Sequence, residues 1–170
     1  VHEEFEAAAH SKGITLVRDL APTVLLGDAM AVARIVRNLV DNAIKYTEHG
    51  SVRVTLRQAD GTARLRIEDT GAGIAPIDQP RIFEEFYQVN NAARDRSKGV
   101  GLGLAIVQRL THLIGATITL ESRPQVGTRF ELCFPNASDT LPPELLAPSR
   151  APNALAGRPR IYVLDDERDR

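Results

Sequence analysis

Two short glycine clusters, about thirty positions apart, constrain what this chain can fold into more than any other feature. Residues 69–74 read Asp-Thr-Gly-Ala-Gly-Ile, and residues 99–104 read Gly-Val-Gly-Leu-Gly-Leu. Upstream of both, residues 38–47 read Asn-Leu-Val-Asp-Asn-Ala-Ile-Lys-Tyr-Thr. Glycine lets a backbone turn sharply, or approach a ligand, where a side chain would clash. In this order, the three segments predict a nucleotide pocket built from a helix, a strand end and a mobile lid.

Composition limits the classes of protein that this chain can represent. Its 170 residues, 43% of them hydrophobic, suffice for one packed domain and a tail. The formal net charge of −1 gives no general attraction to nucleic acid or to an acidic membrane. The single cysteine, Cys133, cannot form an intrachain disulfide and is interpreted as a strand residue. No apolar run approaches the ~20 residues of a membrane span and no signal peptide opens the chain, so a cytoplasmic location is expected.

The hydrophobic periodicity predicts alternating helices and strands. A short helix over 3–11 is ended by Gly13, and Asp28 is the expected N-cap of a long helix that Gly50 closes. A polar loop is expected over 90–98. The remaining predicted elements are a strand over 14–17, paired strands around an Asp60-Gly61 turn, a helix over 101–114, and two strands that begin near Ile118 and at Gly127.

The C-terminal part of the chain differs in composition. Residues 136–157 are rich in proline and alanine and predict a linker. Residues 158–170 contain a short apolar strand that ends in Asp165 and Asp166. The predicted division is therefore a helical connection over 1–12, a domain over 13–135, a linker over 136–157, and the start of a further domain over 158–170. We read the chain as a fragment of a longer protein.

Two residue patterns suit a nucleotide. Asp69, at a strand end, can accept a hydrogen bond from the amino group of adenine, whereas guanine has a carbonyl there; an ordinary Asp-Thr-Gly turn is the alternative. Gly71 and Gly73 would let the backbone approach the base. The second glycine cluster precedes an apolar helix, whose free amides and dipole suit phosphate; a flexible hinge is the alternative. The Walker motif and the dinucleotide-binding glycine motif are both absent.

Asn38 and Asn42 lie one helical turn apart and therefore share a helix face. An asparagine carbonyl is a suitable hard oxygen ligand for Mg²⁺, and Lys45 could reach a phosphate as a point charge. The alternative is the polar outer face of an amphipathic helix. That alternative explains Lys45 well but the two asparagines less well, because asparagine is a poor residue for a helix interior.

Together these segments resemble the catalytic, ATP-binding domain of bacterial sensor histidine kinases, which share a superfamily with type II topoisomerases. Residues 38–47 resemble the family's N box, 69–74 its G1 box, 83–87 its F box, 99–104 its G2 box, and Gly127-Thr128 its last glycine box. The resemblance covers roughly residues 3–135 and implies an α/β fold. The implied fold is a two-layer sandwich in which helices pack on one face of a mixed sheet.

The resemblance also implies roles for individual residues. Asn42 would hold Mg²⁺, Asp69 would read adenine, and Thr128 would close the adenine pocket. Phe83 and Phe86 would pack the base of an ATP lid over about 87–98, in which Arg94, Arg96 and Lys98 are candidates for phosphate contact, with a solvated basic loop as the alternative. The other candidate residues around the nucleotide are Asn38, Lys45, Tyr46, Gly71, Gly73, Ile74, Gly99, Gly101, Leu102, Gly103 and Leu104.

One position favours a kinase over an ATPase. The superfamily's ATPases have a water-activating glutamate one turn before the magnesium asparagine, where this chain has Asn38. An amide cannot act as a general base near neutral pH. The chain should therefore offer the γ-phosphate of Mg-ATP to a histidine on a separate dimerisation domain of its parent protein. A regulatory module that binds a nucleotide without catalysis, and a topoisomerase-type clamp, are the alternatives.

The tail indicates a second signalling domain. Residues 161–167 resemble the first strand of a response-regulator receiver domain, with Asp165 and Asp166 as its acidic pair. The parent would then be a hybrid kinase that passes phosphate onward to a receiver domain in the same chain or in a separate regulator. The fragment itself is expected to be monomeric and unable to phosphorylate itself, and the sequence leaves open whether its parent is membrane-anchored.

Overall fold

The computed structural model describes residues 2–59, 62–89, 100–135 and 161–164 of the chain. Within these ranges the chain forms three helices and seven strands. In chain order these are α1 (His2–Ser11), β1 (Thr15–Leu20), β2 (Thr23–Leu26), α2 (Ala29–Tyr46), β3 (Ser51–Ala59), β4 (Thr62–Asp69), α3 (Gly103–Leu113), β5 (Thr117–Arg123), β6 (Gly127–Phe134) and β7 (Ile161–Leu164).

Five strands form a mixed sheet in the order β1-β3-β4-β6-β5. β1 runs parallel to β3, and every other neighbouring pair is antiparallel. The register places Asp69, the last residue of β4, directly opposite Thr128 in β6. β2 and β7 form a separate antiparallel pair.

One face of the sheet is apolar and the other is charged, as the two-residue period of a strand dictates. The apolar face packs against the helices and contains the fully buried Leu56, Leu65 and Leu132. On the opposite face Arg66 pairs with Glu131 at 2.5 Å, and Arg129 pairs with Glu68 at 2.6 Å. The predicted two-layer α/β sandwich is therefore confirmed.

The long helix α2 lies at the centre of the helical layer and begins where the sequence predicts. Asp28 is its N-cap, and the Asp28 carboxylate accepts a hydrogen bond from the Ala31 N–H at 2.9 Å. The predicted closure at Gly50 is wrong, because the helix ends at Tyr46 and Thr47 already has an extended backbone. Gly50 instead has a positive φ of 114° in the turn to β3.

Other predictions compare with the structure as follows. Strand β2 was missed because Thr23–Leu26 is short. α1 contributes the buried Phe5 and Ala9 to the domain core. The Asp60-Gly61 turn, the loop over 90–98, the linker over 136–157, and Asp165 and Asp166 lie outside the described residues.

Across the described ranges, none of the three helices has the length and hydropathy that a bilayer span requires.

Candidate functional site

A cleft of about 370 Å³ opens between the C-terminal half of α2, the segment 82–88 and the start of α3. It lies where the N box and the second glycine cluster meet. Its lining residues are Asn38, Asn42, Lys45, Tyr46, Ile82, Tyr87, Gln88, Val100, Gly101, Leu102, Gly103, Leu104 and Ile106.

Asn38 and Asn42 face the first residue of α3 across this cleft. The Asn38 side-chain amide donates to the Arg34 carbonyl at 2.8 Å, which orients its carbonyl oxygen toward Gly103. A Cβ at position 103 would lie 3.0 Å from that oxygen and 3.9 Å from Asn42 Nδ2. Glycine at this position therefore lets the two helices bring a pair of amides close to the start of α3.

The N-terminus of α3 presents backbone N–H groups without a side-chain cap. Leu102 precedes the helix, and its side chain makes no capping hydrogen bond. The first hydrogen bond of the helix runs from the Ile106 N–H to the Leu102 carbonyl at 2.9 Å. The N–H groups of Gly103, Leu104 and Ala105 therefore have no acceptor within the helix. Together with the positive end of the helix dipole, they give this wall of the cleft an affinity for anions.

The predicted F box lies beside the second glycine cluster. The Phe86 N–H donates to the Gly101 carbonyl at 2.9 Å, and Gly101 has a positive φ of 77°. Phe83 packs edge-on against Phe130, with ring centroids 6.3 Å apart. Phe86 is 67% exposed, so the prediction that both phenylalanines pack is wrong for Phe86. Phe86 also has a positive φ of 64°.

Asp69 and Thr128 line a second cavity of about 550 Å³, at the neighbouring ends of β4 and β6. Asp69 Oδ1 accepts hydrogen bonds from the N–H groups of Gly71 at 2.9 Å and Thr128 at 3.3 Å. Burial raises the pKa of the Asp69 carboxyl above its usual value, and these two bonds oppose the rise. Asp69 Oδ2 has no partner among the described residues, so it can accept a hydrogen bond from a ligand.

The Ser122 hydroxyl makes three polar contacts in the wall of this second cavity. It accepts from the Ile74 N–H at 2.8 Å, donates to the Gly127 carbonyl at 3.0 Å, and lies 3.0 Å from Thr128 Oγ1. Because the single hydroxyl proton of Ser122 goes to Gly127, the Thr128 hydroxyl is the donor in their shared bond. Both lone pairs of the Thr128 oxygen then remain available to accept.

Gln79 joins the same network through its side-chain amide, which donates to the carbonyls of Ile74 at 2.9 Å and Ser122 at 3.1 Å. Neither Ser122 nor Gln79 was among the predicted site residues. The available signal was the alternation of Ile118, Leu120 and Ser122 in β5, which predicts a polar hydroxyl on the face that points toward the core.

The end of α2 contacts the loop that follows Asp69. Tyr46 lines the first cavity, and its carbonyl accepts from the Ala72 N–H at 3.1 Å. A Cβ at Gly71 would lie 2.3 Å from the same carbonyl oxygen, and one at Gly73 would lie 2.0 Å from the Arg123 carbonyl. Glycine is therefore required at positions 71 and 73 because the loop packs closely against the protein's own backbone. The sequence had indicated only that these glycines let the backbone approach a base.

The structure therefore divides the predicted site residues into three groups. Asn38, Asn42, Lys45, Tyr46, Gly101, Leu102, Gly103 and Leu104 line the cleft. Asp69 and Thr128 line the second cavity, and the remaining described site residues line neither: Gly71 and Gly73 lie against backbone, and Ile74 and Phe83 pack against the core. The predictions for Arg94, Arg96, Lys98 and Gly99 fall outside the described residues.

The two-layer sandwich, with the amides of Asn38 and Asn42 facing a glycine-rich helix start, defines a nucleotide-binding class of domain. The profile of the family described as "Histidine kinase-, DNA gyrase B-, and HSP90-like ATPase" matches residues 27–138, and the chain belongs to this family.

The curated relatives include bacterial histidine kinases and a virulence sensor protein. The chain is 33% identical over 164 residues to the signal transduction histidine-protein kinase BarA of Escherichia coli, a match covering 92% of this chain and 18% of BarA. It is 34% identical over 176 residues to the virulence sensor protein BvgS of Bordetella bronchiseptica, covering 96% of this chain and 14% of BvgS. The chain thus spans less than a fifth of the length of these relatives.

Solved structures show the same fold. Full-length ShkA in complex with AMPPNP aligns with a TM-score of 0.67 and 36% identity over 78% of this chain and 28% of ShkA. The mycobacterial sensor histidine kinase MprB aligns with a TM-score of 0.67 and 31% identity over 79% of this chain and 91% of that chain.

Proposed function

We propose that this chain binds Mg-ATP and presents its γ-phosphate for transfer to a histidine. The observation that carries the proposal is the cleft in which Asn38 and Asn42 face the uncapped N-terminus of α3. Free N–H groups at a helix start and amide oxygens on the opposite wall are suited to a phosphate chain with a bound cation. The match of ShkA, a structure in complex with AMPPNP, supports the same proposal.

The adenine would be read in the second cavity. Asp69 Oδ2 is available as an acceptor, and the hydrogen-bond network leaves lone pairs on the Thr128 hydroxyl. An acceptor at this point favours the amino group of adenine and disfavours the carbonyl that guanine has in its place. Tyr46 links the phosphate cleft to the loop after Asp69, because it lines the cleft and its carbonyl accepts a hydrogen bond from the Ala72 N–H.

The donor set fits Mg²⁺. Within the described residues no group of three or more histidine, cysteine or acidic side chains could hold a metal ion by itself. Mg²⁺ commonly takes few protein ligands and keeps water and phosphate oxygens. The amide oxygen of Asn42 would hold it, with Asn38 beside it, and the ion would neutralise phosphate charge there.

Asn38 favours transfer of the γ-phosphate over rapid hydrolysis of ATP. The Asn38 amide already donates to the Arg34 carbonyl, and an amide cannot take a proton from water near neutral pH. The described lining of the cleft contains no acidic side chain that could replace it. Phosphoryl transfer would then depend on positioning and on charge neutralisation.

A longer protein would supply the remaining parts. We propose that the histidine lies on a separate dimerisation domain, that residues 136–157 form a linker, and that residues 158–170 begin a receiver domain. The nucleotide site would work in the cytoplasm, where ATP is available. The histidine-kinase names of the relatives support the proposal that a histidine accepts the phosphate.

The experiment that tests the proposal has two stages. Calorimetric titration with Mg-AMPPNP should show binding by the wild-type chain and strongly weakened binding by Asp69→Asn. Incubation with γ-labelled ATP and a separately expressed histidine-bearing segment should then give an acid-labile, base-stable label that requires Asp69. Nucleotide binding without label on a folded segment would indicate a regulatory module, and rapid steady-state hydrolysis would indicate an ATPase.

A further inference from the structure

Lys12 lines neither the cleft nor the second cavity, but it contacts the end of α2. Its ammonium group donates to the carbonyls of Ile44 at 2.7 Å, Lys45 at 3.0 Å and Thr47 at 2.9 Å. An ammonium has three N–H donors, and here each meets one carbonyl. All three acceptors belong to the end of α2, where the helix dipole favours a positive charge.

These bonds complete the C-terminus of α2. The last carbonyls of a helix have no partner within the helix and must find one elsewhere. The Ala43 carbonyl accepts from the Thr47 hydroxyl at 2.7 Å, and the Tyr46 carbonyl accepts from the Ala72 N–H at 3.1 Å. Lys12 satisfies the two carbonyls between them, so it shares this helix end with the loop that follows Asp69.

The backbone holds Lys12 in place for this contact. The Gly13 N–H donates to the His10 carbonyl at 3.0 Å and the Ile14 N–H donates to the Ala9 carbonyl at 2.9 Å, which is the Schellman pattern at the end of α1. Gly13 has the positive φ of 68° that the pattern requires. The buried Ala9 and Ile14 anchor it in the core.

We propose that Lys12 is a positioning residue for the nucleotide site, acting through the last turn of α2. This inference rests on the proposed function. Lys45 and Tyr46 extend from that turn into the cleft, and the Tyr46 carbonyl fixes the loop that carries Gly71 and supports Asp69. Lys12 thus connects the end of α1 to the turn that carries Lys45 and Tyr46 and, through the Tyr46 carbonyl, to the loop after Asp69.

The test compares Lys12→Met with a matched control, Arg64→Met. Methionine keeps the apolar stem of Lys12 and removes its three donors. Arg64 is an exposed cation on the outer face of the sheet, so its loss changes net charge by the same amount. Titration with Mg-AMPPNP should show affinity reduced about tenfold in Lys12→Met and by less than about twofold in Arg64→Met.

Two further measurements separate positioning from general stability. The amide resonance of Ala72, whose N–H donates to Tyr46, should shift in Lys12→Met without nucleotide and remain in place in Arg64→Met. Lys12→Cys, alkylated with bromoethylamine, restores an ammonium at nearly the original reach and should recover affinity to within about twofold of wild type. Alkylated wild type controls for reaction at Cys133.

The outcomes are distinct. If wild type and Lys12→Met bind the nucleotide with equal affinity, the positioning role of Lys12 is overturned. The proposed function remains intact in that case. A wild type that fails to bind refutes the proposed function itself. If Lys12→Met does not fold, the alkylated Lys12→Cys protein decides: recovered folding without recovered affinity contradicts the positioning role.

Discussion

Replacement of Gly71 by alanine tests the close contact between the loop after Asp69 and the end of α2. An alanine Cβ would lie 2.3 Å from the Tyr46 carbonyl oxygen and 2.9 Å from Thr47 Oγ1. The first distance is about 1.1 Å short of the 3.4 Å at which ordinary contact begins. The obstacle is largely backbone, so the loop itself must move by roughly that amount.

The expected cost follows from two terms. Overpacking of this kind costs about 1–3 kcal/mol. A shift of about 1 Å also breaks the 3.1 Å bond from the Ala72 N–H to Tyr46, worth about 0.5–1.5 kcal/mol. We expect the free energy of unfolding to fall by about 2–4 kcal/mol in total.

Nucleotide affinity should fall as well, because the Gly71 N–H holds Asp69 Oδ1 at 2.9 Å. The measurements are urea unfolding and calorimetric titration with Mg-AMPPNP, and we expect at least about tenfold weaker binding. The control is Gly115→Ala, where φ is +69° but a Cβ meets nothing within 4 Å. That variant should lose about 1–2 kcal/mol through backbone strain alone and bind normally.

Two results would refute this reasoning. Equal nucleotide affinity in Gly71→Ala and wild type would show that the contact with Tyr46 does not position Asp69. A loss of affinity in Gly115→Ala equal to that in Gly71→Ala would show that general destabilisation, rather than the local contact, governs binding.

Three further variants probe other parts of the site. Asp69→Asn should strongly weaken nucleotide binding yet be at least as stable as wild type at pH 7. Burial raises the pKa of this carboxyl, so its ionisation lowers the stability of the wild type as pH rises above about 3.8. The difference in urea midpoints between the two proteins should therefore vanish below that pH. Ser122→Ala should cost about 1–3 kcal/mol in the same assay and weaken nucleotide binding, because the Ile74 N–H and the Gly127 carbonyl lose their partner. Asp28→Ala removes only the N-cap of α2 and should cost about 1 kcal/mol with unchanged affinity; a changed affinity would show that the site responds to stability in general.

Local patterns predicted most of the fold. The apolar residues of α2 recur at helical spacing, and the N-cap at Asp28 depends on one side chain and a neighbouring amide. Alternation in β3, β4 and β6 identified the strands because their inward residues are consistently apolar. The end of α2 was misplaced because Thr47, Lys12 and the loop after Asp69 terminate it, and two of these come from distant parts of the chain.

The sequence predicted which residues form the candidate site, but not that they lie in two separate cavities. Asn38, Asn42, Lys45 and Tyr46 share a cleft with residues 101–104, as the shared helix face and the glycine spacing suggest. Asp69 and Thr128 lie in a different cavity, which is set by the register that pairs β4 with β6. A register that pairs residues 59 or more positions apart cannot be read from either strand alone.

The sequence by itself determined the features that depend on residue spacing along the chain. It determined the helical face that carries Asn38 and Asn42, the alternating strands, and the glycines at the start of α3. The tertiary structure decided which backbones touch. It placed Gly71 against Tyr46, Ser122 beneath Ile74 and Lys12 on the end of α2. These contacts join residues 25 to 48 positions apart, and only packing of the sheet against the helices brings such groups within hydrogen-bonding distance.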